Sequence, residues 1–181
     1  MNDERTMLKD RPAVDVSLLI MRVIVGIIFA AHGSQKLFGW LGGGGPAGTA
    51  GFFASLGYRW PARMAIVAGL AELGGGLMLA TGFLTPLASF LLATVMLNAI
   101  VTVVFPKGFL GGYEFETTLA TVAVALAATG PGELSLDDAI GWADELSGIL
   151  WASLVLSSAI VISVITTTLG RGSADLDEIP G

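Results

Sequence analysis

The stretch that decides the fold is VSLLIMRVIVGIIFAAHGSQKLF, residues 16–38. It is continuously apolar, and about 20 such residues, rising ~1.5 Å each in a helix, are enough to cross a bilayer. Yet it contains Arg22, His32 and Lys36, and a charge at mid-membrane costs roughly 2.5–3.5 kcal/mol on insertion scales. We therefore predict a membrane-spanning helix whose polar side chains turn toward other helices.

One face of this helix collects its small and ionisable residues. At about 100° per residue, five positions fall within ~80° of one another, with His32 on the flank. These five are Arg22, Gly26, Phe29, Gly33 and Lys36. The rest of the helix is typical of a lipid-facing surface, so we expect Arg22 and Gly33 to serve helix packing and charge pairing.

The composition of the chain supports a membrane protein and excludes several other classes. Hydrophobic residues make up 54% and charged residues 13%, which is too apolar for a soluble domain of this size. The net charge of −6 comes with no basic patch, so we expect no nucleic-acid partner. With no Cys and one His, we expect no disulfide, no metal site and no covalently bound cofactor.

Further apolar stretches predict an all-α bundle of five membrane-spanning helices. The four additional spans are 62–80, 84–105, 113–129 and 149–169. Between the first two spans, four consecutive glycines interrupt the helix, and residues 49–56 predict a short interfacial or re-entrant helix. Trp40, Tyr58 and Trp60 flank it, as is typical of a membrane–water boundary.

These spans divide the chain into five parts. A polar N-terminal tail (1–15) precedes a four-helix membrane core (16–130), an acidic segment (131–148), the additional transmembrane helix (149–169) and an acidic tail (170–181). The acidic segment carries Asp137, Asp138, Asp144 and Glu145, which predict a solvated surface helix. We expect the last tail to be disordered. Five spans put the chain ends on opposite sides, and we place the N-terminus in the cytoplasm.

Glu72 is the notable residue of the second span, about 16 Å into it. Ala68 and Gly76 share its face at i−4 and i+4, and small residues let another helix approach closely. We therefore expect the carboxyl group at a seam between helices. Two interpretations stay open: an ion pair with a facing Arg or Lys that locks two helices, and a proton or ligand site.

Other polar residues extend a candidate ligand pocket. Thr94, Asn98 and Thr102 form a stripe on the third span, where Asn98 either bonds across helices or lines a pocket. Tyr113 and Glu114 open the fourth span on the membrane side where the first span ends, although a carboxylate also suits a helix N-terminus by itself. The candidate pocket residues are His32, Lys36, Glu72, Asn98, Tyr113 and Glu114.

Four motifs carry a resemblance to a known family. GIIFAAHGSQKLFGW, GPAGTAGFFASLG, AGLAELGGGLMLATGFLTPLA and GGYEFE occur in this order within residues 17–132. They resemble the DoxX family of small bacterial and archaeal membrane proteins. The resemblance implies a four-helix bundle in a prokaryotic plasma (inner) membrane, from which the fifth span departs. Its pattern falls on Arg22, His32, Gly33, Lys36, Glu72 and the Tyr113–Glu114 pair.

The resemblance also implies a redox setting, since relatives resemble subunits linked to thiosulfate:quinone oxidoreduction or associate with thiol and superoxide-detoxifying enzymes. Our first hypothesis is an accessory membrane subunit of a redox complex that binds a quinone. His32 or Lys36 would donate to a carbonyl, Glu72 would carry protons, and partner subunits would supply electrons. The alternatives are a small solute or proton transporter, and an assembly anchor, in a homo- or hetero-oligomer, whose charges only pair.

Overall fold

The computed structural model describes residues 12–172, and within that range the chain is helical and contains no β-strand. The predicted all-α membrane bundle is confirmed. Its helices are α1 (Pro12–Phe38), α2 (Gly45–Ser55), α3 (Pro61–Thr81), α4 (Thr85–Ala99), α5 (Glu114–Thr129), α6 (Leu136–Ala139) and α7 (Ile149–Thr168). A π-helical turn and a 3-10 turn continue α4, so that this helix runs over Thr85–Lys107.

Four of these helices, α1, α3, the extended α4 and α7, are long and apolar enough to cross a membrane. The helix predicted as the fourth span, α5, has 16 residues. That is about 24 Å, shorter than the ~30 Å hydrocarbon core of a bilayer. It packs against α4 and α7. Helix α1 begins at Pro12, earlier than predicted, and the tail residues 1–11 and 173–181 lie outside the described part of the chain.

Short connections make successive long helices antiparallel, so the bundle has two ends. At the first end, called here the Lys36 end, lie the end of α1, all of α2, and the starts of α3 and α5. At the second, called the Arg22 end, lie the turn between α3 and α4 and the segment 130–148.

The tightest contact in the bundle joins α1 to α3 through glycines. A Cβ atom on Gly26 would lie 2.5 Å from the Gly76 carbonyl oxygen, and one on Gly76 would lie 2.6 Å from the Gly26 carbonyl oxygen. A Cβ atom on Gly33 would overlap the α3 backbone. The two backbones therefore touch, as small residues allow in membranes. This approach places Lys36 of α1 beside Glu72 of α3.

The acidic segment 131–148 differs from the solvated surface helix that its charges predicted. Only Leu136–Ala139 is helical, and Asp137 is fully buried. Its carboxylate accepts hydrogen bonds from the backbone N–H groups of Leu84 (2.7 Å) and Thr85 (3.0 Å) and from the Thr85 hydroxyl (2.8 Å). These bonds satisfy free N–H groups at the start of α4, whereas Asp138 is exposed.

Arg22 is also fully buried, near Asp137 and far from the Lys36 end. Its Nη2 donates to the Leu134 carbonyl oxygen at 2.6 Å. A Cβ atom on Gly82, which has a φ of +65°, would collide with the guanidinium group. Arg22 thus joins α1 to the α3–α4 turn and to the acidic segment.

Candidate functional site

A cavity of about 420 Å³ lies toward the Lys36 end of the bundle. Its aromatic lining comprises Phe29, Phe52, Phe53, Tyr58, Phe90 and Phe115. Its polar or charged lining comprises His32, Lys36, Glu72, Thr94, Asn98, Thr102, Glu116 and Thr166. The cavity is partly open, and Phe52, Val67 and Phe115 in its lining are about half exposed. The cavity therefore reaches the apolar outer surface, where lipid chains would lie.

The charged feature of the cavity wall is an ion pair between α1 and α3. Lys36 Nζ donates to Glu72 Oε2 at 2.5 Å, and the exposed fractions of the two side chains are 25% and 4%. A buried carboxylate requires such a partner, because an unpaired charge in an apolar interior is costly. The contact between α1 and α3 and the facing lysine agree with the first interpretation of Glu72, an ion pair that locks two helices. Its position in the cavity wall leaves the second interpretation, a proton or ligand site, open as well.

His32 lies on the exposed rim of this wall, close enough to Glu72 for electrostatic interaction. Within residues 12–172, its imidazole ring takes part in none of the hydrogen bonds. One ring nitrogen of a neutral imidazole donates and the other accepts. His32 is therefore able to bond a polar group placed in the cavity.

Asn98 lines the cavity, but its amide group is already occupied. Its Nδ2 donates to the Thr94 carbonyl oxygen at 2.9 Å and to Ser163 Oγ at 3.1 Å, and its Oδ1 accepts from Thr166 Oγ1 at 2.6 Å. Ser163 and Thr166 belong to α7. This geometry favours the cross-helix interpretation, in which Asn98 fastens α4 to α7.

Tyr113 and Glu114 lie outside the cavity lining. The Tyr113 ring stacks on Phe105, with centroids 5.8 Å apart, and meets the edge of Phe109 at 5.3 Å. Glu114 Oε2 accepts a hydrogen bond from the Gly111 N–H at 2.8 Å. Both residues therefore shape the turn before α5, and the structure brings only four of the six predicted pocket residues together.

Glu116 lines the cavity and was not among the predicted pocket residues. Its Oε2 atom is buried and has no hydrogen-bond partner within the described part of the chain. The sequence contains a signal for this position, the helical spacing from Glu116 to Leu119 (i+3) and Ala123 (i+7). Both are buried core residues on the same face of α5. Glu114 lies about 160° from Glu116 around the helix axis.

Tyr58 is a second lining residue that the sequence placed elsewhere, at the membrane boundary. It is buried, and its ring meets Phe53 edge-on at 5.2 Å. Burial raises the pKa of the Tyr58 phenol, against the opposing effects of a hydrogen bond with Thr102 and the positive charge of Arg171. Trp60 is half exposed, consistent with a boundary position.

Residues after α7 hold the segment that carries Tyr58. The Arg59 N–H donates to the Gly170 carbonyl oxygen, and the Gly172 N–H donates to the Gly57 carbonyl oxygen, both at 2.9 Å. These bonds fix the chain between α2 and α3 against the end of α7. The wall of the cavity at this end thus depends on both halves of the sequence.

The fold and this cavity define the class: a small helical membrane protein with charged groups buried between its helices. The DoxX family model matches residues 17–104, and relatives extend the match. The chain is 37% identical over 123 residues to the Putative oxidoreductase CatD of Bacillus subtilis, covering 68% of this chain and 86% of that protein. The chain belongs to the DoxX family, as the motifs predicted.

Two relatives from Escherichia coli support this membership. Inner membrane protein YphA is 31% identical over 132 residues, covering 67% of this chain and 89% of the relative. Inner membrane protein YqjF is 30% identical over 128 residues, covering 68% and 91%. No solved structure gives a significant match. The protein is thus a DoxX family membrane protein, and its relatives include one named Putative oxidoreductase and two named Inner membrane protein.

Proposed function

We propose that this protein is a membrane subunit of a redox complex and binds a quinone-like lipophilic molecule in the cavity. One observation carries the proposal: a cavity of about 420 Å³ with aromatic walls has in its lining an ion pair and an imidazole that makes no hydrogen bond with the described residues. Small-molecule sites have volumes of roughly 300–1,000 Å³, apolar walls and a few placed polar groups. Because the cavity reaches the outer surface, a hydrophobic ligand could enter from the bilayer.

The residues present fit a quinone. The aromatic walls suit a flat ring, and the His32 imidazole and Lys36 ammonium are donors suited to a carbonyl oxygen. Glu72 binds the Lys36 ammonium and so fixes its position on the wall. A bound quinone would supply the two-electron chemistry, while this chain would orient it and exchange protons.

Electrons in this proposal come from a partner subunit, because the sequence has no Cys and one His. The relative named Putative oxidoreductase CatD supports a redox setting of this kind. We infer that the bundle lies in a prokaryotic inner membrane with the N-terminus in the cytoplasm. Alkaline phosphatase or fluorescent-protein fusions at each chain end test that orientation, and a reporter active at the N-terminus outside the cell would contradict it.

An assembly anchor without chemistry is the second candidate. Two observations favour it: Lys36 and Glu72 form an ion pair with each other, and the Asn98 amide is hydrogen-bonded to α7 and to its own helix. In that case the polar groups only hold helices together. Alanine at His32 would then leave every activity of the complex unchanged.

The test uses the full-length chain in lipid nanodiscs and decylubiquinone as the probe, with binding measured by calorimetry. We expect the wild type to bind and His32→Ala to bind several-fold more weakly, because one hydrogen bond contributes about 1 kcal/mol. Lys107→Ala is the control, since Lys107 is exposed and outside the cavity lining.

Purification in mild detergent from the native membrane complements this test by identifying copurifying quinones and subunits. Absence of binding by a folded wild type, together with no quinone in the native preparation, would overturn the proposal. It would leave the anchor as the better description.

A further inference from the structure

We propose that Glu116 is the residue that recognises the reduced, hydroxyl-bearing form of the ligand. The inference rests on the proposed function and assigns a specific role within the same cavity. The acceptor in this role is the Glu116 carboxylate: the residue lines the cavity, and its buried Oε2 has no hydrogen-bond partner among the described residues.

Four other polar side chains of the cavity already have partners. Glu72 already binds Lys36, and the Asn98 amide binds α7. The hydroxyls of Thr94 and Thr102 donate to carbonyl oxygens one turn earlier in α4. An unsatisfied buried acceptor costs free energy, and Glu116 is the cavity carboxylate left in that condition within residues 12–172.

The position of Glu116 in α5 favours a hydrogen-bond acceptor that carries negative charge. Glu116 lies in the first turn of α5, where the helix dipole and free N–H groups stabilise negative charge. An ionised carboxylate only accepts hydrogen bonds. It therefore selects a ligand that donates one, such as a ring hydroxyl.

This chemistry also defines what the cavity should reject. A ligand with its own carboxylate or phosphate would bring a second negative charge close to Glu116 in an apolar setting, where repulsion is strong. A quinone ring has carbonyl oxygens and no donor, whereas the corresponding quinol has hydroxyl groups. The two ligands should therefore respond differently to loss of Glu116.

The experiment compares decylubiquinol, kept reduced under anaerobic conditions, with decylubiquinone on the full-length chain in nanodiscs. For Glu116→Ala we expect quinol binding to weaken roughly tenfold or more, as for loss of a charge-assisted hydrogen bond. Quinone binding should change by less than about threefold. Glu116→Gln, with nearly the same shape, serves as a second variant and should also lose much of the quinol preference.

Glu114→Gln is the matched control, because Glu114 lies in the same turn of α5 but bonds Gly111 and does not line the cavity. It should bind both probes like the wild type. Equal weakening of both probes in the Glu116 variants, or no change in either, overturns the assignment while leaving the proposed function intact. A wild type that binds neither probe overturns both.

Discussion

Removal of Lys36 should destabilise the bundle more than removal of Lys36 and Glu72 together. In Lys36→Met the Glu72 carboxylate, with 4% of its side chain exposed, loses its cation. Removing one partner of a buried ion pair leaves the other charge uncompensated and lowers the free energy of unfolding by about 3–5 kcal/mol. Because a quarter of the Lys36 side chain is exposed, we take the lower end, about 3 kcal/mol. At about 2–4 °C per kcal/mol, the midpoint should fall by about 6–12 °C.

The double variant Lys36→Met/Glu72→Leu removes both charges and should recover most of this loss, because apolar replacements of buried pairs are often neutral or stabilising. The assay is thermal unfolding in one detergent at fixed lipid content, followed by circular dichroism. Lys107→Met is the control for loss of an exposed lysine. If Lys36→Met melts like the wild type, or if the double variant is the least stable, the ion pair does not stabilise the α1–α3 contact.

Three further changes test other contacts by thermal unfolding or titration. Gly76→Ala should cost about 1–3 kcal/mol by overpacking against α1. In Gly74→Ala the new Cβ atom meets no atom of the described residues within 4 Å, so this variant should be neutral or slightly stabilising; equal melting points of the two variants would contradict the close contact. Asp137→Ala should cost at least about 1–3 kcal/mol by freeing the N–H groups at the start of α4, and Asp138→Ala should cost little; the reverse order would refute the buried cap. Burial raises the pKa of the Tyr58 phenol. The folded state therefore holds this proton more tightly than the unfolded state, and the free energy of unfolding should fall as pH rises above about 10. Ultraviolet titration should show a late-ionising phenol that Tyr58→Phe lacks, and identical titrations of the two proteins would contradict the raised pKa.

The sequence predicted the helical architecture well because hydrophobic runs and their interruptions are local signals. The spans end near glycines and prolines, and every predicted span is present as a helix within the described residues. Glu72 was placed correctly at a seam, since the small residues around it left room for another helix. Its partner was not fixed by the sequence, because pairing with Lys36 depends on how α1 crosses α3.

The features missed from the sequence concern residues whose surroundings depend on the direction of the side chain rather than on the residue type. Asp137 and Asp138 are neighbours with the same side chain, yet one is fully buried and the other exposed. Glu114 and Glu116 are similarly alike, and only Glu116 shares a helix face with core residues. The burial of Asp137 depends on the tertiary structure, whereas the position of Glu116 on the core-facing side of α5 follows from the helical period.

Pairing between the end of α7 and the loop before α3 has a consequence for biosynthesis. Gly57 is translated long before Gly172, to which it is hydrogen-bonded, and the α7 residues Ile162 and Thr166 complete the wall of the cavity. During membrane insertion the cavity therefore stays open on the α7 side until α7 has left the translocon. A bulky lipophilic ligand could bind in that interval without passing between packed helices.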